Sequence, residues 1–270
     1  MNPTRPRASS AVAGLSILAG LILVGALAPW LAGAPHLIVA EALQPPSSAH
    51  PFGTDDLGRD LLAAVLHGTR TSMAVGLVAA VLSGSLGLVI GGVAGRRAGA
   101  MDHALMRFTD LIQALPRFFL IVMVVSLFGS QLSLVVLVIG LTAWPPTARL
   151  FRAQVQGVFT REFALASRAA GAGDTAILVR HAWPVARPVV AAQISFQAGG
   201  AILAEAGLSF LGLGDPAVVS WGSLLGSAQH FVREAWWMSV FPGAAITLTV
   251  LACNLLADAL VRRQDTVGPA

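Results

Sequence analysis

Lysine and tyrosine are absent from these 270 residues, cysteine occurs once, and only 11% of positions are charged. Each shortage excludes something. Without Lys there is no P-loop lysine to reach the β- and γ-phosphates of a nucleotide, and no amine for a Schiff base. All 17 basic residues are Arg, and any ATP-driven work falls to another chain. The lone Cys253 can form neither an intrachain disulfide nor a Cys-x-x-Cys site. A soluble domain carries roughly 25% charged residues. Set against 56% hydrophobic residues, the shortage of charge is too large for one buried core and makes lipid the solvent for most of the surface.

What is present is a series of long uncharged tracts. Residues 8–40 carry no charge, with an apolar centre at 11–32; 71–95, 118–148 and 235–257 carry none; 188–214 carry only Glu205. The tract 118–148 is too long for one span, and the turn signal Phe128-Gly129-Ser130-Gln131 divides it into helices at about 104–128 and 132–151. Each resulting span exceeds the ~18 residues needed to cross a bilayer. The pattern predicts an all-α fold, a polytopic transmembrane helical bundle of about six spanning helices. Its first part, 1–70, holds an N-terminal segment, the first helix and an external connection; 71–263 form the main membrane domain; 264–270 are a tail. Arg5, Arg7 and Ala32-Gly33-Ala34 would suit a signal sequence, but signal cores run about 7–15 residues and this one about 20, so the helix is expected to be retained.

Orientation follows from Arg. With the N-terminus inside, Arg5, Arg7, Arg96, Arg97, Arg107, Arg149, Arg152, Arg161, Arg168, Arg180, Arg187, Arg262 and Arg263 fall on or near the cytoplasmic side, and only Arg59, Arg70 and Arg233 fall outside. Both termini are therefore expected in the cytoplasm. This placement in short loops is a topology signal and not a nucleic-acid surface, despite the formal charge of +4. The connection 33–70 begins with a Pro-rich stretch unsuited to helix. The connection 213–237 ends in Trp236-Trp237, expected as interfacial anchors.

The cytoplasmic loop at 152–187 is far longer than the ~4–6 residues of an ordinary connection. Thr160 is expected to cap a short helix, and Glu162 in its first turn complements the helix dipole. Gly171 and Gly173 let the chain turn back. Asp174 is expected to cap a second short helix that stops at Pro184. The small side chains allow another surface to approach, with Arg161, Arg168 and Arg180 at the rim. A plain connecting role is the alternative.

Among ionisable groups inside spans, Glu205 reads either as functional or as a carboxylate hydrogen-bonded to a neighbouring helix. Arg117, directly after Pro116, is expected to satisfy carbonyls that the proline frees. Asp110 raises the same question nearer a helix end. Asp258 stands four residues before Arg262 and is expected to pair with it. The six His residues form no metal-ligand spacing; His50, His67 and His230 are expected outside as solvated side chains.

The stretch Ala166-Ser167-Arg168-Ala169-Ala170-Gly171-Ala172-Gly173, with Pro184 thirteen residues after Gly171, resembles the "EAA" loop of bacterial ABC importer permeases. Glu-Ala-Ala of the general motif falls on Leu165-Ala166-Ser167, so the Glu is missing. Three further stretches resemble the peptide/nickel branch: His50 to Asp60, Ile202 to Gly214, and the ordered set Trp221-Gly222, Phe241-Pro242-Gly243 and Asn254 to Asp258. The extra first helix resembles that of the C-type subunit. The resemblance implies an inner-membrane permease without enzymatic activity or cofactor. Its loop (Arg161, Glu162, Leu165, Ala166, Ser167, Arg168, Ala169, Ala170, Gly171, Gly173, Asp174, Pro184) would form coupling helices seated on one or two separate cytoplasmic ATP-binding subunits. A second homologous permease would complete the path, with Glu205, Arg117 and Asp110 as candidates to line it or to contact that partner. An extracellular or periplasmic solute-binding protein would meet segment 213–237. The implied cargo is small peptides, with nickel or a metal chelate as the alternative. A proton-coupled secondary transporter using Glu205 is the rival of another class.

Overall fold

The computed structural model describes residues 7–96 and 99–266. Arg5, Arg97 and tail residues 267–270 lie outside the described residues, as do the side chains of Arg7 and Arg263. The chain forms α1 (Arg7–Leu31), α2 (Leu61–Arg96), α3 (Ala100–Ala114), α4 (Arg117–Phe128), α5 (Leu132–Ala143), α6 (Pro145–Phe159), α7 (Glu162–Ala169), α8 (Asp174–Ile177), a π-helical turn (Leu178–Ala182), α9 (Trp183–Phe210), α10 (Trp221–Ala228) and α11 (Trp237–Thr266). Five segments are long and apolar enough to cross a membrane: 10–31, 61–96, 132–159, 174–210 and 237–262. Helices α3 and α4 supply a sixth only as a pair bent by 74°. Among the described residues β-structure is limited to isolated bridges at Ile38–Arg59 and Thr54–Asp60.

The bend replaces the straight helix expected at 104–128. Pro116 has no N–H and forces Leu115 out of the helical region, to φ −78°, ψ 130°. The Pro145-Pro146 pair interrupts the next span less, because Trp144 keeps αR geometry and the prolines fall in the first turn of α6. That span therefore runs to Phe159, past the expected end at 151, and carries Arg152, expected in the loop, on helix.

Helix α2 is the hub, packed against α1, α5, α6 and α9. Its contact with α6 is a glycine seam at i, i+4 spacing, Gly87, Gly91 and Gly95. A Cβ added at Gly87 would lie 2.5 Å from Thr147 Cβ, one at Gly91 would strike the Ala148 carbonyl, and one at Gly95 would lie 2.7 Å from Val155 Cβ. Lipid supplies no hydrophobic drive between helices, so such close backbone approach carries the packing.

The connection before α2 is a built cap. Thr54 Oγ1 donates to the Glu41 carbonyl and accepts from the Gln44 N–H, each at 2.8 Å. Asp55 accepts from the Arg59 backbone N–H at 2.8 Å and forms an ion pair with its guanidinium, Nε 3.0 Å from Oδ2, and His50 Nδ1 lies 2.8 Å from Asp60 Oδ2. The cap sits on the start of α11, where Phe52 stacks on Phe241 at 3.8 Å and Trp237 Nε1 donates to the Thr54 carbonyl at 3.0 Å. Trp237 is thus a core residue, 4% exposed, and only Trp236, 53% exposed, is free to act as an anchor. The expected Asp258–Arg262 pair is not among the ion pairs of the described residues.

Candidate docking site

Helix α7 begins at Glu162 with Arg161, not Thr160, in the capping position; Arg161 supplies no side-chain cap, and Thr160 bonds back to the α6 carbonyls of Gln156 and Gly157. The helix ends in a Schellman arrangement, with Gly171 N–H on the Arg168 carbonyl and Ala172 N–H on the Ser167 carbonyl, both at 2.9 Å. Gly171 takes φ +91°, which a residue with a Cβ adopts only under strain. Gly173, in extended geometry, is the N-cap of α8, and Asp174 is its first helical residue.

The second helix does not stop at Pro184. It passes through the π turn at Leu178–Ala182 directly into α9. Pro184 falls in the first turn of α9, where its missing N–H is tolerated, and the π turn widens the backbone just upstream.

Beneath the loop, Ala164 and Ile177 are buried in a cluster with Phe151, Val155, Val158, Phe159, Ala182 and Val190. Arg168 closes the hairpin, with Nε 3.1 Å and Nη2 3.0 Å from Asp174 Oδ1 and its guanidinium 5.1 Å from the Phe159 ring. Arg96 at the end of α2 donates to Thr175 Oγ1 at 3.1 Å. The outer side is open. Arg161, Glu162, Leu165, Ala166, Arg168, Ala169, Ala170, Gly171, Gly173 and Pro184 are exposed, and Ser167 and Asp174 partly so. Phe163, Leu165 and Val179, at 42%, 52% and 58% exposed, make this surface apolar as well as basic. An exposed apolar patch on a rigid base, rimmed by charge, is suited to a protein partner.

The remaining candidates are dispersed. Glu205 is 2% exposed, and its Oε1 accepts from Ser209 at 2.6 Å and Ser220 at 2.7 Å. It ties α9 to the loop entering α10 and faces no opening. Arg117 donates to the Ile139 carbonyl at 3.4 Å, on α5 and not at a carbonyl next to Pro116. Asp110 is paired with Arg149 and largely exposed. No group of three or more His, Cys, Asp or Glu among the described residues is arranged to hold a metal ion.

Two polar features escaped the sequence reading. Asp102, 5% exposed, receives both Nε and Nη2 of Arg152 at 2.5 Å, and Gln156 adds a third bond at 3.2 Å. Gln197 Nε2 donates to the Ala143 carbonyl at 2.7 Å and to Thr147 Oγ1 at 2.8 Å, while its Oε1 accepts from Ser83 at 2.9 Å. It joins α9, α2 and the α5–α6 junction at one point. Its signal, an amide in an apolar tract, is shared with Gln193 four residues earlier, so the sequence does not single it out.

Comparison with known proteins places these features in context. A family model described as "Binding-protein-dependent transport system inner membrane component" matches residues 87–266. A Brucella suis protein named for a peptide transport system permease is 39% identical over 259 residues, 95% of this chain and 86% of its own. The dipeptide transport system permease protein DppC of Bacillus subtilis is 35% identical over 265 residues, 96% of this chain and 81% of its own. A solved chain of the inward-facing MetNI methionine ABC transporter matches with a TM-score of 0.58 at 17% identity, covering 77% of this chain and 98% of that one. That likeness is one of fold alone.

Proposed function

The chain belongs to the family of inner membrane components of binding-protein-dependent transport systems, and from this we propose that it carries small peptides across the membrane, driven by a separate ATPase that docks on α7 and α8. The family is one of membrane permease subunits, which work with ATP-binding subunits and a substrate-binding protein. The names of the peptide and dipeptide permeases at 39% and 35% identity support the cargo. The Arg distribution supports an orientation with the loop and both termini in the cytoplasm.

The observation that carries the docking assignment is the contrast between the two sides of the hairpin. Its outer side is exposed and partly apolar, while its inner side is fixed by Ala164 and Ile177 in the α6–α9 core and by the Arg168–Asp174 pair. A push on Leu165 or Ala169 is not absorbed within the loop. It passes through α8 and the π turn into α9, which is continuous with them. The second homologous permease would close the path on the far side of these helices, and the solute-binding protein would meet the 213–237 segment.

Ala169→Glu places a bulky charge on the exposed face without touching the buried side. The variant is expected to insert normally and to lose co-purification of the ATPase. Retention of the ATPase would refute the docking assignment, and transport without any ATPase would sink the importer reading. Cargo is decided by which ligand competes for uptake through the cognate binding protein, with a dipeptide expected to compete and nickel not.

A further inference from the structure

Between α1, α2, α9 and α11 lies a partly open crevice of about 390 Å³. Its walls are apolar, formed chiefly by Leu18, Ile22, Met73, Leu77 and Ile202. Three hydroxyls line it, and each is already satisfied within the protein. Thr69 donates to the Val65 carbonyl at 2.9 Å, Ser195 to the Cys253 carbonyl at 2.9 Å, and Thr249 to the Ala245 carbonyl at 2.8 Å. The interior therefore leaves no hydroxyl hydrogen for a polar ligand, and its apolar walls suit an alkyl chain.

Arg70 stands at this crevice as its one charged residue. The sequence places it beside a span; the structure puts it within α2, exposed, and in none of the hydrogen bonds or ion pairs of the described residues. Its depth is fixed by α1. Gly25 packs on the Arg70 backbone, where an added Cβ would lie 3.2 Å from the Arg70 nitrogen. Trp30, 80% exposed, lies five residues further along α1. An exposed Trp of this kind sits at the membrane–water interface, and five residues of helix rise about 7.5 Å. The Arg70 backbone is thus just below the headgroups, and its side chain reaches up to them by snorkelling.

We propose that this crevice is a phospholipid site, in which one acyl chain fills the apolar cleft and the phosphate is bound by Arg70. The positive charge at the mouth complements the phosphate, and an arginine fork suits phosphate oxygens. The volume of about 390 Å³ argues against a protein occupant, since two turns of a helix about 10–12 Å across take up roughly twice that space. The site lies away from the docking hairpin, on the α1–α2 side, and would fasten α1 to the rest of the bundle through a lipid wedge.

The test uses the assembled transporter in nanodiscs of phosphatidylethanolamine and phosphatidylglycerol, doped with phosphatidylglycerol bearing a diazirine on one acyl chain. After irradiation, mass spectrometry is expected to find adducts on Leu18 to Ala26, on Met73 to Leu77 and on Cys253. Arg70→Leu is expected to reduce them about fivefold, the effect of one arginine at a lipid surface, whereas Arg70→Lys keeps most of the signal. Ala74→Phe narrows the crevice while leaving the charge, and is expected to reduce the adducts as well, so the test stands even if Arg70→Leu fails to fold. Adducts undiminished in both Arg70→Leu and Ala74→Phe would mean non-specific annular lipid and overturn the proposal. Absence of adducts in the crevice would overturn it as well.

Discussion

Gln197 Nε2 donates to the Ala143 carbonyl at 2.7 Å, one residue before the break at Trp144-Pro145. This bond anchors the junction of α5 and α6 to α9, and the same amide holds Thr147 and Ser83. One side chain thereby fixes three spans at a level where no water is at hand to replace it.

Replacing Gln197 with Leu is expected to lower stability by about 2 kcal/mol, since single hydrogen bonds between membrane helices average about 0.6 and reach about 1.7 kcal/mol and three are lost together. Thermal unfolding in detergent checks this; an unchanged midpoint would show that the network is redundant.

The glycine seam makes a positional prediction. Gly91→Val drives a side chain into the Ala148 carbonyl and should abolish folded yield, whereas Gly200→Val, with nothing within 4 Å of its added Cβ, should be tolerated. Comparable monodisperse yields from the two variants would contradict the packing described.

Removing Asp102 leaves Arg152 without its bidentate partner. Asp102→Ala is expected to destabilise by about 1 kcal/mol, less than for a fully buried pair, because Arg152, 30% exposed, can turn to water. The charge-reversed double variant Asp102→Arg with Arg152→Asp is expected to recover part of the loss, measured as a coupling energy in a double-mutant cycle.

Much of this was legible in the sequence, and the limits have identifiable causes. The uncharged tracts located the spans because lipid demands unbroken apolar length, and Gly171 marked the hairpin turn because a positive φ is needed there. The bend at Leu115-Pro116 was hidden inside an apolar tract: proline signals an interruption but not its angle. Trp237 was misread as an anchor because its buried place depends on Thr54, 183 residues earlier in the chain. Gln197 and the Asp102–Arg152 pair were missed for the same reason, since their partners are 50 or more residues away. Pro184 failed as a stop signal because the π turn ahead of it accommodates the ring. Around the proposed docking surface, the sequence did not show that Ala164 and Ile177 fix the underside of the hairpin.

Glu205 separates structure from charge. Glu205→Gln keeps an oxygen acceptor for Ser209 and Ser220 and is expected to match the parent in thermal stability, while Glu205→Ala strands both hydroxyls and should cost about 1–3 kcal/mol. A Gln variant that is stable yet fails to transport would assign the carboxylate a role in the path beyond the hydrogen bonds seen here.

Gly171→Ala is expected to destabilise the hairpin by about 1 kcal/mol through its positive φ, while adding only a methyl group at the proposed docking face. The measurement is ATP turnover stimulated by the binding protein, which should weaken while the ATPase still co-purifies. Full stimulation would mean that the hairpin needs no rigid turn.

Helix α9 runs 28 residues from the π turn to Phe210, a length of about 42 Å at helical rise. Its base is held at the hairpin, and its far end carries Glu205 and the Ser220 contact. Such a rod behaves as a rocker about Gln197, which lies near its middle: a ten-degree tilt displaces either tip by about 3–4 Å, given that rise. The two arms are nearly equal, so a shift at the hairpin end reappears at the far end at about the same size and in the opposite sense. The Gln197 node, tied to two neighbouring spans, stays in place.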